Sequence, residues 1–176
     1  MKDNLRLLSL PKANVSVARN AGALNARGSI LLFLDADTTL AEDALKKIKD
    51  KFNENYSVAT TLVKPDEEKF KFKFAMGFKN FYHRTRIYQG ASGSLICRKD
   101  DFQTVGGYPL FQVKEHRKLT IALKKEGQYN VINTSAITSM RRFEQWGLVK
   151  AGWFWVKQFT KNYVADLKKE KYEIVR

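Results

Sequence analysis

The sequence predicts a layered α/β domain, and three observations carry that prediction. Helix-like and strand-like segments alternate along the chain, a continuous apolar run of strand length sits at Ser29–Leu34, and the stretch behind it has the period of an amphipathic helix. With 176 residues and 44% hydrophobic composition, the chain suits one domain with at most a short appendage and is large enough to bury a core.

Taken in order, Val15 to Ala26 mixes small residues with Arg19 and Asn20 and runs through Arg27 to Gly28, which reads as a short helix ended by a glycine cap. Ser29–Leu34 is apolar at every position after the first, the pattern of a strand covered on both faces, and the acidic pair Asp35 and Asp37 closes it. After Thr38-Thr39-Leu40, the stretch Ala41–Phe52 puts Leu45, Ile48 and Phe52 on one helical face, with Glu42 and Asp43 in the first turn where the helix dipole favours anions. Tyr56–Val63 is rich in β-branched residues and reads as the next strand.

Lys69–Lys73 alternates Lys and Phe as a strand would, yet Phe70, Phe74, Phe78 and Phe81 recur at helical spacing over more than three turns. The longer pattern predicts a helix whose aromatic stripe seats on the sheet. Ser92–Arg98 reads as a strand containing Cys97 as a small buried residue, and Asp100–Phe102 as a helical turn before Gly106-Gly107-Tyr108. From Glu115, residues Leu119, Ile121, Ala122 and Leu123 supply a helix face up to a glycine cap at Gly127, and Tyr129–Ile132 reads as an edge strand. The tail 146–176 is predicted to be a basic aromatic amphipathic helix, with Trp155, Phe159 and Tyr163 at helical spacing.

Composition narrows the partners. The 32 Lys and Arg against 18 Asp and Glu give a formal net charge of +14, which favours partners carrying phosphate: nucleotide sugars, polyprenyl phosphates, anionic membranes or nucleic acid. The chain carries no RRM, KH or helix-turn-helix signature, which argues against nucleic acid. One cysteine excludes an internal disulfide framework and a cysteine-rich zinc site. The apolar runs are too short to span a bilayer and the start lacks a signal-peptide core. The expected location is therefore cytoplasmic, or peripheral on the cytoplasmic membrane face, where Trp153, Trp155 and Phe159 with Lys150, Lys157 and Lys161 would meet the bilayer or else pack on the domain.

Alternation along a strand would point Asp35 and Asp37 to the same side at the carboxyl end, where open α/β sheets bind ligands. Two carboxylates so placed suit a hard divalent cation, Mg²⁺ or Mn²⁺, although acidic pairs also end many strands as solvated turns.

The surroundings of this pair carry a family resemblance. Val17-Ala18-Arg19-Asn20-Ala21-Gly22, then Ala26-Arg27-Gly28, then Leu31 to Asp37 and Thr38, resembles the central stretch of family 2 glycosyltransferases, which reads approximately A-R-N-x-G, A-x-G and F-L-D-A-D. Gly93-Ser94-Leu95-Ile96-Cys97-Arg98 followed by Phe102, Val105, Gly106, Gly107 and Tyr108 is similar to the acceptor-side strand and G-G-F/Y loop of that family. The resemblance implies a GT-A type layered α/β/α sheet over residues 1–145, donor contacts from Arg19, Asn20, Asp35, Gly106 and Gly107, and a donor metal on Asp35 and Asp37. Such an ion neutralises the charge that builds on a nucleoside diphosphate leaving group.

Counting back from Gly127 through Leu123 and Leu119 puts the family's Glu at Glu115 and its base position, normally Asp, at His116. A neutral imidazole can take the acceptor proton, and Lys114, Arg117 and Lys118 favour that form; a lone His at a helix start is otherwise a surface or capping residue. Thr138-Ser139-Met140-Arg141-Arg142-Phe143 resembles the T-S-x-R-R segment of a subset of the family, where the arginines meet donor phosphates or a phospholipid acceptor; the plainer reading is two solvated arginines.

Complete members begin with a strand, a turn, a helix and a second strand ending in D-D-x-S, and only Met1–Lys12 precedes the A-R-N block here. The expectation is an N-terminally incomplete domain with an exposed sheet edge: a truncated chain, a split or frameshifted gene, or a fragment that pairs with itself or with a partner chain. The resemblance implies metal-assisted, inverting transfer of a sugar from a nucleoside diphosphate sugar to an acceptor hydroxyl or lipid phosphate. The alternatives are a catalytically impaired remnant or subunit and a membrane-surface binding module.

Overall fold

The computed structural model describes residues 5–11, 13–85, 89–91, 93–110, 115–141, 143–147 and 153. Helices α1 (Val15–Asn25), α2 (Ala44–Lys51), α3 (Phe70–Arg84), α4 (Lys99–Thr104) and α5 (Glu115–Leu123) alternate with strands β1 (Ile30–Leu34), β2 (Thr38–Leu40), β3 (Tyr56–Pro65), β4 (Ser94–Arg98) and β5 (Gln128–Thr138). The strands form one mixed sheet in the order β1-β4-β3-β5-β2, with β3 and β5 parallel and every other neighbour antiparallel. The predicted layered α/β architecture is the observed one.

Strand alternation sorts the core onto the two sheet faces. Leu31, Phe33, Val58, Leu95, Cys97 and Tyr129 join Phe102, Tyr108, Leu119 and Leu123 in one cluster, under α1, α4 and α5. The intervening Ala59, Ile96 and Ile132 face the other way, onto Ile48 and Phe52 at α2, with Ile30 and Leu32 partly buried against them. A third cluster joins Val63 and Met140 to Phe72 and Met76 of α3. Both faces of β1 are thus covered, as its apolar run predicted, but among the described residues β1 is an edge strand and Leu34 is exposed.

Several elements depart from the sequence reading. Tyr129–Ile132 pairs with β3 alone, but β5 extends beyond this predicted edge segment: Ala136–Thr138 also pairs with β2, and the strand runs on to Thr138 because a register shift absorbs Asn133 and Thr134, Thr61 pairing with Ile132 and the next residue, Leu62, with Ser135. Its polar residues find partners there, Thr134 Oγ1 donating to Asp43 Oδ1 at 2.8 Å. β2, which carries no apolar run, is set by pairing Thr38, Thr39 and Leu40 with Thr138, Ile137 and Ala136. α2 begins only at Ala44, so its core face is Ala44, Ile48 and the following Phe52, and Leu45 points outward. Neither glycine predicted as a helix cap acts as one. α1 ends at Ala26 in extended backbone, and Gly127 lies beyond α5 where a Cβ would meet Ser57 Cβ at 3.1 Å, so its lack of a side chain permits close packing on the start of β3.

The largest departure is α3. Its phenylalanine stripe faces solvent, with Phe70, Phe74, Phe78 and Phe81 at 82, 69, 67 and 65% exposure, while Phe72, Met76 and His83 are buried. Asn80 decides the orientation: its amide donates to Val63 O and accepts from Val63 N, both at 2.8 Å, pinning the opposite helix face to the backbone of β3. The predicted amphipathic tail, apart from Trp146, Gly147 and an exposed Trp153, lies outside the described residues, as do Lys114 and Arg142.

Candidate functional site

The site forms where α1, the end of β1, the turn after α4 and the start of α5 converge. Asn14 caps α1 by accepting from Val17 N at 3.0 Å, which fixes the helix so that consecutive residues Arg19 and Asn20 both reach inward. Asn20 grips Tyr108 at both backbone groups, its Nδ2 donating to Tyr108 O at 2.9 Å and its Oδ1 accepting from Tyr108 N at 2.8 Å.

Gly106 and Gly107 make this grip possible, both with positive φ (77° and 72°). At Gly107 a Cβ would stand 2.8 Å from Asn20 Oδ1 and 3.1 Å from the Phe102 ring, so only glycine lets Asn20 approach. The Tyr108 ring is held edge-on to Phe33 (centroids 5.0 Å apart) and to Phe102 (5.8 Å). Arg19 lies over its face, 5.2 Å from the centroid.

Arg19 bridges two acids from distant parts of the chain, Nη2 donating to Asp35 Oδ1 at 2.6 Å and Nη1 to Glu115 Oε1 at 2.5 Å. Burial would raise the Asp35 carboxyl, but the neighbouring His116 and Arg19 outweigh it and hold its pKa below the ordinary carboxylate value. Burial would likewise lower Arg19, but Tyr108, Glu115 and Asp35 raise it above the ordinary guanidinium value. Burial drives the Tyr108 phenol well above its ordinary range, so it stays neutral.

His116 completes the group. Its Nδ1 shares a 2.9 Å hydrogen bond with Tyr108 Oη, and its buried Nε2 faces Asp35 Oδ1 at 3.6 Å and Glu115 Oε1 at 3.9 Å without hydrogen-bonding to any described residue. If the tyrosine hydroxyl accepts from Nδ1–H, the Nε2 lone pair is left without a protein donor, and a proton taken there is stabilised by both carboxylates.

Asp35 and Asp37 are not on the strand itself, because β1 stops at Leu34 and Thr38 N donates back to Asp35 O at 3.0 Å, closing a turn. Strand alternation therefore does not set their directions. Asp35 N donates to Gly93 O, while Asp37 O accepts from Ser139 N at 3.1 Å and its Oδ1 from Thr38 Oγ1 at 3.3 Å. The Thr138–Arg141 segment is thereby brought beside Asp37, with Arg141 exposed just beyond it.

Two carboxylates at one turn fit a hard cation that takes its other ligands from diphosphate and water. No cluster of three or more His, Cys, Asp or Glu stands ready among the described residues. A cleft of about 530 Å³ between α1 and α4 lies behind Gly107 and is lined by Val17, Leu24, Phe102 and Leu110; its mostly apolar walls do not suit a diphosphate.

The structure thus gathers Arg19, Asn20, Asp35, Gly106, Gly107, Glu115 and His116 into one cluster and sets Asp37 and Arg141 at its flank. Sequence reasoning treated Tyr108 only as part of a loop motif, yet it touches Arg19, Asn20 and His116. An aromatic directly after two glycines, following a buried Phe102, is the signal that marked it.

Comparison with known proteins supplies a family. The model described as glycosyl transferase family 2 matches residues 1–144. A search of curated proteins gives no match.

Proposed function

Since the chain belongs to glycosyl transferase family 2 and is thereby a glycosyltransferase with a GT-A type α/β domain, we propose that it moves a sugar from a nucleoside diphosphate sugar to an acceptor hydroxyl or lipid phosphate, with Mg²⁺ or Mn²⁺ assisting. The carrying observation is the buried His116 Nε2, which makes no hydrogen bond to a described residue and faces the carboxylates of Asp35 and Glu115.

In this reading acceptor binding uncovers the buried His116 Nε2, which takes the hydroxyl proton as the oxygen attacks the anomeric carbon. Tyr108 Oη accepts from Nδ1–H and keeps the ring aimed. Glu115, already paired with Arg19, stabilises the imidazolium without leaving the protein network short of charge. Asp35 and Asp37 would hold the cation, which when bound offsets the negative charge gathering on the departing diphosphate. Arg141, with Arg142 next in sequence, suits the phosphate oxygens.

The test is calorimetric titration of UDP, GDP and dTDP sugars with and without Mn²⁺, together with transfer assays. Metal-dependent binding that is lost in Asp37→Ala supports the donor-metal role, and binding unchanged in that variant sinks it. His116→Ala is expected to abolish transfer while leaving donor binding intact.

One observation favours a second reading, a catalytically impaired subunit: Arg19 hydrogen-bonds both Asp35 and Glu115, so each carboxylate already has a protein partner without substrate. Sugar transfer by the purified chain alone refutes it.

A further inference from the structure

The outward face of α3 is a feature that glycosyl transfer leaves unused. Phe70, Phe74, Phe78 and Phe81 lie within one quadrant of the helix and span roughly 16 Å along it. At their observed exposures they present on the order of 500 Å² of aromatic surface, the size of the largest apolar patch a monomer carries, a patch that often has a function. The orientation is fixed, because Phe72, Met76 and His83 are buried on the opposite face and Asn80 is bonded to both backbone groups of Val63.

Charge identifies what covers this stripe. Between Phe70 and Arg84 there is no Asp or Glu, while exposed Lys71 borders the stripe on one side and exposed Lys73 and Arg84 on the other. Lys73 reaches back to Glu68, ahead of the helix. Two copies packed stripe to stripe would bring these cationic borders together, in a chain whose net charge is already +14. An apolar stripe between rows of cations is instead the arrangement that sinks rings below a headgroup layer and leaves ammonium and guanidinium groups among phosphates.

We propose that α3 docks the protein on an anionic lipid bilayer, with the four phenylalanines inserted at the interface and Lys71, Lys73 and Arg84 on the lipid phosphates. No helix among the described residues is long and apolar enough to cross a membrane, so α3 lies in the plane of the surface. This surface is separate from the tail, and its test does not depend on any sugar being transferred.

The experiment is sedimentation of the full chain with vesicles of phosphatidylcholine alone and of phosphatidylcholine with phosphatidylglycerol. Binding is expected to the anionic vesicles, weakening as salt rises, and to fall roughly tenfold or more in Phe74→Ser/Phe78→Ser. A second readout uses Phe78→Cys carrying an environment-sensitive fluorophore; Cys97 is fully buried and its thiol is pushed up to about 12, so the label goes to the introduced cysteine. A blue shift on anionic vesicles supports insertion. Wild-type binding by the double serine variant, or an unshifted label on vesicles that do bind protein, overturns the proposal. A double variant that halves the solution mass with vesicle binding unchanged overturns it too, and assigns the stripe to self-association.

Discussion

Replacing Arg19 with methionine tests whether the site is held together by charge. The substitution keeps the aliphatic stem and removes two charge-assisted hydrogen bonds, at 2.6 Å to Asp35 and 2.5 Å to Glu115. The Asp35 side chain is 34% exposed and regains water, whereas that of Glu115 is 11% exposed and does not. Breaking a buried pair by removing one partner costs about 3–5 kcal/mol, and partial hydration of Asp35 brings the expected loss to about 3 kcal/mol. For a chain of this size that corresponds to a fall in Tm of roughly 6–12 °C.

Urea denaturation followed by circular dichroism measures the loss, and Arg19→Met/Glu115→Gln closes a cycle in which removing the orphaned charge restores part of the stability. The acid limit gives a further check. Asp35 is held below its ordinary value of 3.8, so its pairing contributes fully above that value and is lost as pH falls through the lowered folded value. The gap between wild type and Arg19→Met should shrink in that window. A variant within about 1 kcal/mol of wild type at neutral pH, or strict additivity in the cycle, would refute the reasoning.

Three other outcomes follow from the same structure. Burial, helped by the charge of Lys79, pushes His83 down from 6.5 to about 4, so the unfolded chain takes up this proton first as pH falls through 6.5. Stability should drop by about 2 kcal/mol between neutral pH and pH 5, with the loss complete near pH 4, and urea titrations of His83→Gln should show a correspondingly flatter slope. Gly106→Ala and Gly107→Ala share a positive φ, but only Gly107 has a neighbour within reach of a new Cβ, so thermal melts should place Gly106→Ala roughly 1–2 kcal/mol and Gly107→Ala about 3 kcal/mol below wild type. Asp37→Ala should remove the dependence of donor binding on Mn²⁺ without unfolding the chain, because the backbone bond from Ser139 N to Asp37 O survives.

Much of the fold was legible in the sequence because local pattern and tertiary role coincide there. Tyr56–Val63 is β-branched and becomes a central strand; the turn at Gly106-Gly107 is demanded by a backbone only glycine adopts easily. The seat of α3 was not legible, since four aromatic residues at helical spacing predict a buried face and only the pairing of Asn80 with Val63 turns that face outward. β5 was misread for a related reason: Asn133-Thr134-Ser135 looks like a strand end, and a register shift carries the strand through it.

Within the site, the motif register located Glu115 and His116. It said nothing of Arg19 joining Asp35 to Glu115, a contact between residues 96 positions apart. Nor did alternation hold for Asp35 and Asp37, because the strand ends one residue before the first of them.

The strand order has a consequence for how the chain is made. β1, β2 and β3 all precede residue 66, yet among the described residues none of them pairs with another: β1 bonds to β4, β2 to β5, and β3 to β4 and β5. No rung of this sheet can form until β4 has left the ribosome, and the parallel centre waits for residue 138. Until then these three apolar or β-prone segments have none of the partners they pair with among the described residues. Synthesis rate and chaperone capture over that interval, more than the stability of the finished domain, should govern how much soluble protein a cell obtains.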